Sequence, residues 1–336
     1  MTAAPFALGT FTADSDAFAG LVVADRVAAL EPHLGPDATI RNLLAAWDES
    51  LELLQALADR LPGDGWDYEL ASLRALPPVH PPGQIFQAGA NYRQHLVELT
   101  NADPHRMHRE LTDEERQRML DGIDERARVG VPYVFLGLPH SIVGACDDIV
   151  LPDTVESVDW ELELAVVIGR TARRVPREEA FDVIAGYTIC NDITARDRIF
   201  RPDLPGIGTD WLAGKNWPTF FPTGPLLVPA VHAGDPMSLQ ITLRLNGEVM
   251  QDSSTSDMMF DIARLIEHAS SVAELRPGDM LLTGSPAGNG VHHGRFLAPG
   301  DVITGEIAGL GRQRNRCVAE GTPRFGAGGE EEEVHA

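Results

Sequence analysis

The segment "VDWELELAVVIG", residues 158–169, constrains the fold of this chain more than any other. In an extended strand its side chains alternate, so Asp159, Glu161 and Glu163 share one face while Trp160, Leu162, Leu164 and Val166 share the other. A half-buried strand with a solvated acidic face is the ordinary reading of such alternation. The run continues as "AVVIG", however, apolar on both faces, which places the glutamates close to the interior. Clustered buried carboxylates repel one another and must be neutralised by protons, cations or a metal. Hard oxygen ligands favour Mg²⁺, Mn²⁺ or Ca²⁺ over zinc.

Around this segment lie short β-rich runs punctuated by Gly and Pro, among them "SIVGACDDIVLP", "IAGYTICND", "LQITLRLNGEVMQD", "MLLTGSP" and "DVITGEIAGLG". Asn246-Gly247 is a hairpin signal. The pattern predicts an α+β, mostly β chain with a barrel-like or sandwich body. Three helices interrupt it. "ATIRNLLAAWDESLELLQALADRL" carries Leu43, Leu44, Trp47, Leu51, Leu54, Leu57 and Leu61 at helical spacing, and "MMFDIARLIEHASSVAEL" follows a Ser-rich cap region. "LTDEERQRMLDGIDERARV" opens with a Thr112–Glu115 capping box and forms a charged excursion over residues 100–130. The proline cluster "LPPVHPPG" divides a small N-terminal α/β region, residues 1–80, from the body, residues 82–320. The acidic tail, residues 321–336, is expected to be disordered.

A net charge of −23 argues against nucleic acid as a partner. No apolar run approaches the roughly 18 residues a membrane helix needs, and the three cysteines show no metal-finger or disulfide spacing, so a cytoplasmic protein is expected. Of the 27 Lys and Arg residues only Lys215 is lysine. A compact ammonium whose pKa moves on burial is a candidate for chemistry, although chance in an arginine-favouring chain explains it equally well. Asp192, after the strand "GYTICND", suits a ligand at a strand end or, as readily, a turn cap. His95 and Glu98, three apart, would share a helical face, where the carboxylate could orient the imidazole to take a proton from water. The turn "LTGSPAGNG" offers N–H groups and the Ser285 hydroxyl to an oxyanion.

Taken in order, "GANYRQHLVE", "DWELELAVVIG", "GYTICNDITARD", "GKNWPTFFPTGP", "LNGEVMQDSSTSDMMF" and "RPGDMLLTGSPAGNG" resemble the successive signatures of the fumarylacetoacetate hydrolase family over roughly residues 82–312. The resemblance implies a mixed β-roll or barrel catalytic domain, a homodimer and a divalent metal, usually Mg²⁺, with Mn²⁺ or Ca²⁺ as alternatives. It places metal ligands on Glu161, Glu163 and Asp192, a catalytic dyad on His95 and Glu98, and the active-site lysine on Lys215. Substrate contacts are implied at Asn91, Tyr92, Arg196, Thr219, Gly284 and Ser285. Ala88 stands where the animal fumarylacetoacetate hydrolases carry a further acidic ligand, so the chain resembles the three-carboxylate branch of acylpyruvases and related 2-oxo acid enzymes. Ile199 stands where many members carry a glutamine. The implied activity is metal-dependent hydrolysis of a C–C bond in an acylpyruvate or related β-diketo acid through an enolate. Decarboxylase, isomerase or hydratase activity on a 2-oxo acid at the same site is the alternative, and a catalytically silent metal-binding subunit a further one. The charged excursion would then be a lid or its support, or a surface helix without contact to the site.

Overall fold

In the computed structural model, which describes residues 4–13, 16–61, 65–101 and 111–321, the acidic segment becomes the strand Leu162–Ile168. All seven of its residues are buried. It lies between two antiparallel neighbours, Ile184–Asn191 and Met280–Leu282. The sheet continues through Ile85–Gly89 to Tyr133–Gly137 on one side and through Phe221–Thr223 to Ile142–Gly144 on the other, with Val228–Pro229 also paired to Ile184–Asn191. Two of its pairings are parallel: Met280–Leu282 with Ile85–Gly89, and Phe221–Thr223 with Ile142–Gly144. A second, five-stranded sheet runs Glu248–Ser254, Gln240–Leu245, Val302–Ile307, Gly311–Ala319, Ile149–Leu151. It packs closely on the first: a Cβ at Gly305 would lie 2.6 Å from Leu162 Cδ1. The Asn246-Gly247 turn closes its first hairpin, both residues adopting the positive φ such a turn requires, 52° and 87°. The architecture is thus α+β and mostly β.

Residues up to 76 build their own antiparallel sheet, in the order Tyr68–Glu69, Arg26–Ala29, Ala17–Val23, Ala7–Thr12, Arg74–Leu76. The helix expected across residues 38–61 is two helices, Ile40–Ala45 and Trp47–Arg60, because Ala46 leaves helical geometry at φ −131°, ψ 54°. Leu43, Leu44, Trp47, Leu54 and Leu57 are buried as their spacing predicts, whereas Leu51 and Leu61 are only half-buried. Trp47 packs against the end of the strand Leu162–Ile168, since a Cβ at Gly169 would lie 2.9 Å from its Cδ1. Leu8 and Leu227 also exchange backbone hydrogen bonds of 2.9 and 2.8 Å across the same junction.

Asp261, rather than the preceding serines, caps the helix Ile262–Val272, accepting from Arg264 N at 2.8 Å. The Thr112–Glu115 capping box forms and opens the helix Asp113–Val129. The rest of the excursion before it, residues 102–110, and the tail from residue 322 expected to be disordered lie outside the described residues. Among the described residues no helix is long and apolar enough to cross a membrane.

Candidate active site

Strand register assembles the acidic cluster. Leu162 pairs with Asn191 and Glu163 with Cys190, so the start of one strand lies beside the end of the other, where Asp192 follows. Asp192 N donates to Glu161 O at 2.8 Å, and Glu161 N donates to the Asn191 side chain at 2.9 Å, which fixes the two ends together. One oxygen from each of Glu161, Glu163 and Asp192 lies within 4.8 Å of the others, and all three residues are buried.

Asp159 does not join them, contrary to the alternation of its segment. The long strand begins only at Leu162, while Val158–Asp159 forms a separate ribbon with Thr194–Ala195. The Asp159 carboxylate turns to Arg196 Nε at 2.7 Å and Gly290 N at 2.6 Å. Arg196 in turn donates to Glu161 Oε1, so Asp159 steadies the guanidinium beside the cluster.

Lys215 ends the short helix Trp211–Lys215, which Asp210 caps through Ala213 N at 3.0 Å. Its Nζ donates to Glu161 Oε2 and Asp192 Oδ2, each at 2.6 Å, and to Thr194 Oγ1 at 2.7 Å. Burial acts most strongly on Glu161 and would raise its pKa, but Lys215, Arg196 and His95 together bring it down to about 2. Glu163 goes the other way: burial, reinforced by the charges of Asp192 and Glu161, holds its carboxyl well above the usual carboxylate range. Lys215 keeps its proton because Asp192 and Glu161 outweigh the burial that opposes it. The cluster therefore has more carboxylate than nearby cations neutralise, and Asp192 Oδ1 is buried with no hydrogen-bond partner. That donor set, all hard oxygen with one atom unpaired, fits a divalent metal ion.

A cavity of about 100 Å³ adjoins the cluster, bordered by Ala88, His95, Phe135, Trp211, Lys215 and Ser285 among others. His95 is buried and its Nδ1 has no partner. Burial chiefly, helped by the charges of Arg196 and Lys215 and opposed by Glu161, draws its pKa down to about 4, leaving a neutral imidazole at pH 7. Glu98, on the same helix Arg93–Asn101, is not hydrogen-bonded to it. Its carboxylate accepts from Gly288 N at 2.8 Å and stands 3.7 Å from His292 Nε2.

The six residues implied as substrate contacts divide. Arg196 and Ser285 border the cavity. Gly284, at φ +96°, has a backbone only glycine suits there, since a Cβ would lie 2.9 Å from Asn91 Cβ; its N–H donates to Glu163 Oε2 at 2.7 Å. Asn91 is a strut, bonding Phe260 N and O and Thr283 O. The Thr219 hydroxyl accepts from Val150 N at 2.8 Å. Tyr92 is fully buried, and neither it, Asn91 nor Thr219 borders the cavity. Sequence reasoning missed Phe135, Trp211 and Gln251. Trp211 stands four residues before Lys215, a helical spacing that could have exposed it. Gln251 is fully buried, accepting from Leu162 N at 3.1 Å and donating to Ser285 Oγ at 3.1 Å, and so ties the acidic strand to the Ser285 turn.

The fumarylacetoacetate (FAA) hydrolase C-terminal family matches residues 84–318. The chain belongs to this family. Human mitochondrial "Oxaloacetate tautomerase FAHD2B" is 36% identical over 283 residues, covering 83% of this chain and 80% of that protein. Among solved structures, a probable 2-hydroxyhepta-2,4-diene-1,7-dioate isomerase from Mycobacterium abscessus superposes with a TM-score of 0.71 at 31% identity, covering 94% of this chain and 99% of that one. Maleylpyruvate hydrolase from Sphingobium sp. SYK-6, in complex with manganese(II) and pyruvate, superposes with a TM-score of 0.68 at 27% identity, covering 93% and 99%. These relatives of the fumarylacetoacetate hydrolase family are enzymes, named as a tautomerase, an isomerase and a hydrolase.

The helix Asp113–Val129 of the charged excursion is mostly exposed but bonds to a segment that borders the cavity. Arg126 of the helix Asp113–Val129 donates to Ala90 O at 2.6 Å, and Ala90 borders the cavity with a positive φ of 53°. Arg126 and Arg264 both stand over the Phe260 ring, at 4.9 and 4.6 Å. Arg93, at the start of the His95 helix, pairs with Asp124 through two bonds of 2.7 and 3.1 Å. Arg126→Ala is therefore expected to raise KM about tenfold, a loss in the range of one charge-assisted hydrogen bond, while metal affinity stays put. Steady-state kinetics with a parallel metal titration checks this; a KM within about twofold of wild type would mean that the contact does not position the loop.

Proposed function

We propose that this protein is a metal-dependent enolising enzyme acting on a short 2-oxo acid, and that keto–enol tautomerisation is the reaction its site suits best. The carrying observation is His95: a buried, neutral imidazole at the cavity with Nδ1 unpaired and no carboxylate attached. One base of this kind suffices to move a proton between a carbon and an oxygen of the same substrate, whereas water attack requires a second, activated molecule in the site. The cavity is small, about 100 Å³, which suits a short acid. A divalent ion, Mg²⁺ or Mn²⁺, held by Glu161, Glu163 and Asp192 would supply Lewis-acid polarisation of the 2-oxo acid.

His95 would take the proton from the carbon beside the 2-oxo carbonyl. The C–H electron pair then forms the C=C bond, and the carbonyl oxygen takes the negative charge. Lys215, which is buried, and Arg196, which is half-buried, would offset that charge. Return of the proton from His95 to the oxygen gives the enol, and reversal gives the keto form.

Hydrolysis of a C–C bond is a second reading, favoured by Glu98, which sits one helical turn from His95 and could orient it on leaving Gly288 N. NMR of oxaloacetate and of acetylpyruvate incubated with the protein and Mg²⁺ or Mn²⁺ separates the two. Accelerated keto–enol exchange without new carboxylic acid is expected. Acid formation from acetylpyruvate would favour the second reading, and no metal-dependent change in either compound would defeat both.

A further inference from the structure

His95 lies in the first turn of its helix, as the third residue of Arg93–Asn101. The first N–H groups of a helix have no acceptor within it, so a base placed there is held only as well as the helix end is capped. Tyr92, the residue before the helix, gives its carbonyl to Leu96 N at 3.2 Å, but tyrosine is not a side chain that caps its own helix. The acceptor comes instead from far along the chain. Gln94 N, one residue before His95, donates to Asp257 Oδ2 at 3.0 Å, 163 residues away.

Asp257 is itself firmly placed. It ends the one-turn 3₁₀ helix Thr255–Asp257, whose entry Ser254 caps through Ser256 N at 3.2 Å. Thr255 is fully buried and bonds twice to Leu239: its N donates to Leu239 O at 2.9 Å, and its Oγ1 accepts from Leu239 N at 2.8 Å. Leu239 leads directly into the strand Gln240–Leu245 of the second sheet. On the other side Tyr92 bridges Met258, Met259 N donates to Asn91 O at 2.7 Å, and the Asn91 amide holds Phe260. A continuous path of hydrogen bonds thus runs from the second sheet through Thr255 and Asp257 to the backbone beside His95. A carboxylate at that end also has the sign that the helix dipole favours.

We infer that Asp257 is a positioning residue for His95: by capping the helix Arg93–Asn101 from the second sheet, it fixes the first turn, and with it the imidazole, at the cavity. This rests on the reading of His95 as the base. The role differs from that of Arg126, which holds Ala90 O at the cavity border and so bears on substrate binding, whereas Asp257 acts on the turn that carries the base. Loss of the cap therefore falls on kcat. Asparagine keeps an oxygen acceptor at this position and alanine keeps none, so the two substitutions isolate the hydrogen bond.

The test pairs turnover with backbone hydrogen exchange, both on the full chain. In the Mg²⁺-loaded protein, deuterium exchange at C3 of oxaloacetate followed by NMR is expected to give Asp257→Ala a kcat at least about tenfold below wild type, with KM within about threefold, as for a small misplacement of a catalytic group. Asp257→Asn should stay within about threefold of wild type in both. Hydrogen exchange read by mass spectrometry on the metal-free protein needs no activity. Amides of residues 93–101 should exchange at least about fivefold faster in Asp257→Ala, the factor for a lost cap, while those of the strand Leu162–Ile168 keep the wild-type rate. Wild-type exchange across residues 93–101 in Asp257→Ala, or a kcat that holds although exchange quickens, would overturn the assignment, as would an equal loss of kcat in Asp257→Asn. A wild type that exchanges C3 no faster than buffer would overturn the enolisation reading and the role of His95 with it, whereas hydrogen exchange would still decide whether Asp257 is the cap.

Discussion

Lys215→Met is expected to lower kcat by at least about 10³-fold, the scale of losing a preorganised charge in a site of this kind. The ammonium is buried and bonded at once to Glu161, Asp192 and Thr194, so no neighbouring side chain is placed to replace it. Methionine keeps much of the volume and removes the charge together with these hydrogen bonds. Removing one partner of a buried ion pair costs about 3–5 kcal/mol, and here it leaves Glu161 with Arg196 alone and Asp192 without its cation. The metal-free variant should therefore melt well below wild type. Saturating Mg²⁺ or Mn²⁺ should narrow that gap, because a divalent ion supplies positive charge to the same oxygens. Turnover assays paired with thermal melts, with and without metal, read both effects. A variant that retains full activity would remove Lys215 from the mechanism.

Glu163→Gln should separate folding from metal binding in the opposite sense. Burial, then Asp192 and Glu161, hold the Glu163 carboxyl well above its usual range, so in the metal-free protein the neutral form is favoured there. Glutamine imitates that form and retains an acceptor for Gly284 N, which donates to Glu163 at 2.7 Å. The metal-free melting temperature should hold or rise. Metal affinity should fall by about 10²-fold or more, since the ligand charge is gone, and turnover should vanish with it. Calorimetric titration with Mn²⁺ measures the affinity, and the metal-induced rise in melting temperature gives an independent reading. If that rise matched wild type, Glu163 would not be a ligand.

The sequence shows these residues unevenly, for physical reasons. Alternation followed by a doubly apolar run was enough to place Glu161 and Glu163 inside, because a strand period of two admits few other arrangements. The same alternation puts Asp159 on their face, since nothing local reveals that the long strand begins at Leu162 and that Val158–Asp159 pairs elsewhere. Asp192 is one of many aspartates after strands, and only register against Glu161 singles it out. His95 and Glu98 lie on one helix as their spacing requires, but Glu98 is claimed by Gly288 N, 190 residues away in the chain. Asn91 and Thr219 show the same competition, their polar groups satisfying backbone rather than facing the cavity. Trp211 was hidden by its company, because aromatic residues beside a turn are usually packing, and its unpaired donor appears only once the neighbours are placed.

The junction between the two halves of the chain has its own consequence. Leu8 is stitched to Leu227 by two backbone hydrogen bonds, Trp47 fills the hollow above Gly169, and one continuous apolar core takes in residues from Phe6 to Cys317. Trp47 thus covers the far end of the strand whose near end carries Glu163. A chain cut at the proline cluster would expose that strand to water, so the N-terminal residues serve as the outer wall of the catalytic sheet, and denaturant should melt both in a single transition.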